Sequence, residues 1–117
     1  MSHRPVHLLI ADILECIEKI ERYIAGLDHD TFVSDEKTID SVARNLQVIG
    51  EAANRLPESF TAQHPEIEWR RIIGLRNRIV HDYFGLDLEI IWEILQRELP
   101  MVKKKISDIQ MDMGEPS

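Results

Sequence analysis

The sequence predicts an all-α protein: a bundle-like domain of four to five up-and-down helices, the last of them kinked at a proline. Three observations carry this. Apolar residues recur at alternating spacings of three and four along most of the chain. No stretch reads as a pair of strands. The periodic stretches are punctuated by turn residues, at Gly26, at Pro57 and at the "FGLD" of residues 84–87. With 117 residues, a single domain is expected over 1–112, followed by a frayed tail at 113–117.

The first helix should run over about 5–25, with Pro5 in its first turn and Gly26 as its stop. Its stripe is Leu9, Ile10, Ile13, Ile17, Ile20 and Ile24. Residues 28–34 are mostly polar and read as a loop. The second helix starts near Asp35, a capping residue, and ends before Pro57. Its stripe, Ile39, Val42, Leu46, Ile49, Ala53 and Leu56, suits near-antiparallel packing against another long helix. Residues 57–65 hold two prolines and form a connection, with at most a short helical turn. The third helix is expected over about 66–83. Gly85 suits a left-handed end, and Asp87 can cap the next helix. That fourth helix carries Leu88, Ile91, Trp92, Leu95 and Leu99, then Val102, Ile106 and Ile109. Because the pattern resumes beyond Pro100, that proline should kink the helix and not end it.

Composition excludes several classes. No apolar run approaches the ~20 residues of a membrane span, and the apolar stretch at 6–11 is cut short by Asp12 and Glu15, unlike a secretory signal. A cytoplasmic protein is expected. The one cysteine, Cys16, lies on the apolar pattern and reads as a buried thiol. The net charge of −7 argues against binding nucleic acid through the overall field. Residues 69–81 are different: they hold Arg70, Arg71, Arg76 and Arg78 and no acid. A local basic patch can hold a phosphate even on an acidic protein, although it steers poorly at long range.

On a helical wheel of about 100° per residue, Trp69, Ile72, Ile73, Ile79, Val80, Tyr83 and Phe84 share one arc. Arg76 falls near its middle, whereas Gly74, Asn77 and His81 lie towards the other side. A guanidinium among apolar residues is costly without a partner. Either Arg76 is a buried structural arginine paired with Glu51 of "IGEAA", or the arc stays open and Arg76 meets a ligand's phosphate in a groove. Periodicity alone favours the first. His81 by itself reads as a surface histidine, Tyr83 as an amphipathic core residue, and Asn77 as neutral. His3 and His7 are four apart, but Pro5 intervenes and no third ligand is evident, so no metal site is expected. No glycine-rich phosphate loop or serine elbow occurs. The run Lys103 to Lys105 reads as a solvated face that could add RNA affinity. Asp12, Glu15, Glu18 and Glu21 read as a solvated face, or as a surface for a basic partner.

Arg76, four spacers, His81, Asp82 and Tyr83 match the Arg-x4-His-x-Tyr signature of the HepT-like proteins of the HEPN superfamily. "LQVIGEAANRL", "WRRIIGLRNRIVHDYFGLD" and "IWEILQRELP" also resemble that family, over most of the chain. The resemblance implies a HEPN-type helical fold and metal-independent endoribonuclease activity without a cofactor. It implies the toxin of a type VII toxin–antitoxin pair, whose antitoxin is a minimal nucleotidyltransferase. Arg76 and His81 would be the catalytic pair, with Asn77, Arg78 and Glu51 supporting them. Tyr83 would be the position to which the antitoxin adds AMP, silencing the toxin. It also implies a homodimer with both motifs facing one cleft, and RNA, not DNA, as substrate. These residue types suit the chemistry. Histidine titrates near neutrality and can act as base or acid, and arginine offers a permanent planar fork to phosphate oxygens. The other reading is a non-catalytic helical module that binds a nucleotidyltransferase and presents its substrate.

Overall fold

A computed structural model describes residues 4–82 and 87–113, with side chains described at 4–75 and 87–113. Every regular element among the described residues is helical: α1 (Val6–Ile24), α2 (His29–Val33), α3 (Glu36–Asn54), α4 (Glu58–Thr61), α5 (Trp69–Asp82), α6 (Leu88–Glu93), a π-helical segment (Ile94–Glu98) and α7 (Leu99–Asp112). The all-α expectation holds.

The long helix α3 is central, packing against α1 and against α5. Its buried face, Val42, Ala43, Leu46, Ile49, Gly50, Ala52 and Ala53, mixes large aliphatics with small residues. Small side chains let two neighbouring helices approach closely without leaving voids. α1 buries Leu9, Ile10, Ile13, Leu14, Cys16, Ile17 and Ile20, a wider face than its stripe predicts, because it also meets α7. Pro5 stands just outside α1, its carbonyl accepting from the N–H groups of Leu8 and Leu9. Beyond α1, Gly26 adopts φ 81°, a left-handed conformation that side chains other than glycine resist.

Residues 28–34 differ from the expected loop. Asp28 accepts from the Thr31 N–H at 2.9 Å, and the Thr31 hydroxyl accepts from the Asp28 N–H at 2.9 Å, a reciprocal cap for α2. This single turn buries Phe32 completely and sets it 5.1 Å, ring centre to ring centre, from Trp92 of α6. So few apolar residues leave no periodicity to read, and the average polarity of the stretch hid the contact.

α5 begins at Trp69 instead of near Glu66. The residues ahead of it form an irregular approach in which Ile67 is buried. There Trp69 donates its ring N–H to the His64 carbonyl at 3.0 Å, and Phe60 of α4 packs on both rings. At the far side of the bundle, Asp87 caps α6 by accepting from the N–H groups of Glu89 and Ile90. The chain then stays helical through Pro100. The Leu99 N–H reaches back five residues to the Ile94 carbonyl. That wider turn makes room where the proline ring would crowd the preceding turn, so the adjustment expected at Pro100 takes the form of a π segment just ahead of it. The expected cap at Gly85 and the residues after Met113 lie outside the described residues.

Candidate active site on the fifth helix

α5 carries all the arginines of the basic stretch, and its backbone is described to Asp82. The side chains of Arg76, Asn77, Arg78 and His81 lie outside the described ones, as does Tyr83 altogether. Helical register still orders the positions. Trp69 and Ile72 are buried. Position 76, seven and four residues further on, continues their line. Gly74 is on the other side, where an added Cβ would find nothing within 4 Å. Position 81 falls seven residues beyond Gly74 and so shares its side. Position 78 stands in the same relation to Arg71, which is exposed. On one ideal helix, positions 76 and 81 are therefore about 140° apart. Glu51, one of the expected supporting residues, stands exposed on α3.

One flank of α5 is covered by α3. The opposite flank meets the π segment through Arg71, whose Nε and Nη2 reach the two Glu98 carboxylate oxygens at 2.6 and 2.8 Å. This fork raises the arginine's affinity for its proton further, chiefly through the hydrogen bond to Glu98. Beside it a groove of about 740 Å³ runs between α5 and α6, with Arg71, Gly74 and Leu75 on one wall and Glu89, Ile90 and Glu93 on the other. Sequence reading missed this groove. The available signal was Gly74, a residue without a side chain on the polar side of a helix, followed one helix later by spaced acids. A separate, smaller cavity of about 80 Å³ lies between α5 and α7 and is mainly aliphatic.

The HepT-like ribonuclease family matches this chain over residues 13–109. The chain belongs to that family. Among its relatives is a Methanocaldococcus jannaschii protein whose name places it with the RNases, 37% identical over 97% of this chain and 93% of its own length. A Thermococcus cleftensis relative named for ribonuclease HepT is 36% identical, covering 86% of this chain and 92% of the relative. The mRNA nuclease HepT of Shewanella oneidensis is 32% identical over 88% of this chain and 94% of its own. No solved structure gives a significant match.

Elsewhere on this HepT-like chain the charges found in the sequence are largely engaged internally. Lys103 donates to Glu21 at 2.8 Å, which ties α7 to α1 and raises the lysine's pKa. Lys104 lies 3.7 Å from Asp108, and Lys105 donates to the Glu66 carbonyl. Lys103 and Lys105 are thus tied to the fold, while Lys104 stays exposed, as a solvated face would have it. On α1, Arg4 forks onto Asp12 at 2.6 and 2.9 Å. Cys16 is buried, and desolvation pushes its thiol pKa up, the opposite of what a nucleophile needs. His7 is exposed on α1, and among the described residues no three metal-binding side chains gather. No described helix is long and apolar enough to cross a membrane.

Proposed function

We propose that this HepT-like protein is a metal-independent endoribonuclease, the toxin of a type VII pair, acting as a homodimer. Arg76 and His81 of α5 are its catalytic residues, Asn77 and Arg78 assist them, and Glu51 supports them from α3. The observation that carries this reading is the family match over residues 13–109, with both motif positions on one helix.

In the proposed reaction a His81 imidazole takes the proton of the ribose 2′-hydroxyl. The 2′-oxygen attacks phosphorus, the bond to the 5′-oxygen breaks, and an acid returns a proton to that leaving oxygen. The products are a 2′,3′-cyclic phosphate and a 5′-hydroxyl. Arg76 offsets the charge that builds on the equatorial oxygens. One imidazole cannot be base and acid at once. A twofold dimer supplies a second, and it also lets position 76 of one copy meet position 81 of the other, which one helix does not allow. In the silencing reaction the Tyr83 hydroxyl attacks the α-phosphorus of ATP and expels pyrophosphate. The AMP that remains puts a phosphate where the substrate's would bind. A nucleotidyltransferase antitoxin is the partner this step requires.

Cleavage of total RNA in the presence of a chelator tests the reading. Wild type is expected to cut, and Arg76→Ala and His81→Ala to lose about 10²–10⁴-fold in rate while keeping their helical circular dichroism. Undiminished cutting by His81→Ala would refute the assignment. A wild type that binds a nucleotidyltransferase and cuts nothing would leave the binding-module reading in its place.

A further inference from the structure

The described lining of the groove between α5 and α6 takes no part in the reaction above, and its two walls differ in chemistry. The α5 wall is Arg71, Gly74 and Leu75. The opposite wall is acidic and aliphatic. Its carboxylates are Asp87, Glu89, Glu93 and Glu98, and all but Glu89 are held by short hydrogen bonds or ion pairs within the chain. Asp87 accepts from the backbone that begins α6, Glu93 holds the Arg97 Nε at 3.0 Å, and Glu98 holds the Arg71 fork. Glu89 is different. Its side chain is 82% exposed, and its closest basic neighbour among the described residues is the His29 ring, 3.9 Å away. Next to Glu89, Ile90 presents an aliphatic surface, 39% exposed. Across the groove, Gly74 leaves open space where any other residue would project. A volume of about 740 Å³ falls within the range of small-ligand pockets.

We propose that this groove is a base-recognition subsite for the RNA substrate, with the pairing edge of a guanine on the Glu89 carboxylate and its ring against Ile90. The inference rests on the ribonuclease reading. A carboxylate has two oxygens and only accepts. Guanine's pairing edge offers two adjacent donors, N1–H and the 2-amino group, so the two match in bidentate fashion. Cytosine and adenine set one amine beside a bare ring nitrogen that faces the carboxylate unfavourably. Uracil has one N–H between two carbonyls. Such a subsite suits an unpaired base splayed from a loop or single strand. A cationic protein segment fits less well, because the other acids of the wall are already occupied within the chain.

Single-stranded oligoribonucleotides carrying guanine, inosine, adenine, cytosine or uracil beside a single cleavage site test the proposal. Inosine is guanine without the 2-amino donor. Wild type is expected to cut the guanine substrate about tenfold faster than the inosine one at low substrate concentration, the order of one charge-assisted hydrogen bond. Glu89→Gln should erase that difference by raising KM for guanine, leave kcat unchanged, and keep the helical circular dichroism. Glu89→Asp should restore part of it, and Ile90→Ala should raise KM for all bases. Equal cutting of guanine and inosine by wild type overturns the proposal, as does a Glu89→Gln protein that keeps the preference. So does a Glu89→Gln protein changed only in its binding to a nucleotidyltransferase, since the groove would then be a protein surface. Wild type that cuts none of the oligonucleotides or total RNA overturns the ribonuclease reading itself, and this inference with it.

Discussion

Phe32 shows how much one side chain decides in this chain. It has no exposed surface, and it is the sole buried residue of α2. Through Trp92 it joins a five-residue helix to the element that forms one wall of the groove. Truncating a fully buried phenylalanine removes its transfer energy and leaves a cavity. Phe32→Ala should therefore lower unfolding stability by about 3–5 kcal/mol in a urea titration. A loss well under about 1 kcal/mol would mean that α2 contributes little to the fold. Gly74 acts by the opposite means, since what matters there is the side chain it lacks. Arg76 and His81 are proposed from the sequence as residue types at a telling spacing, and their side chains lie outside the described ones. Glu89 was not legible, because it became distinctive through the engagement of its neighbours, which the order of residues does not reveal.

At the scale of elements, helix ends are set by a few short-range hydrogen bonds. Asp28 caps α2, accepting from the Thr31 N–H and its hydroxyl, and Asp35 caps α3, accepting from the Thr38 hydroxyl at 2.7 Å and N–H at 3.1 Å. These bonds favour the ionised carboxylates and hold both pKa values below the ordinary one. The sign comes from linkage. A depressed folded pKa gives stability that is fully present above the unfolded value of ~3.9 and is lost as pH falls through the folded values. Asp28→Asn and Asp35→Asn, which keep a capping oxygen without its titration, should flatten the loss of stability below about pH 4. Unfolding midpoints measured across that range check this, and an unchanged acid limb would count against the caps as its source. The long helices were readable because an amphipathic stripe repeats over about five turns. The first turn of α5 and the whole of α2 were not, because local capping and one tertiary contact outweigh periodicity in so short a span.

Over the whole molecule, acids outnumber bases, several of the described bases sit beside carboxylates, and the densest run of arginines is on α5. Long-range attraction of RNA is therefore weak, and the proposed recognition rests on close contact at that helix. Register sets positions 76 and 81 on different sides of α5, so the proposed reaction depends on assembly. Under conditions that exchange subunits, mixing wild type with an excess of the Arg76→Ala/His81→Ala double variant should suppress cleavage beyond simple dilution, because a mixed dimer holds one imidazole. Mixed dimers that cut as well as wild type would indicate that one copy carries a complete site by itself.

The amino-acid order by itself determined the helical class, the long helices, most of the core and the family signature. Each of these depends on residue type at regular intervals, which a linear string records. Tertiary structure alone decided that residues 28–34 hold a helical turn anchored by buried Phe32, that Pro100 is accommodated by a π segment, and that a two-faced groove opens beside the motif helix. Those outcomes rest on contacts between residues far apart in the chain, such as Phe32 with Trp92 and Arg71 with Glu98. Spacing along one helix cannot encode which distant side chain will close a gap or leave one open.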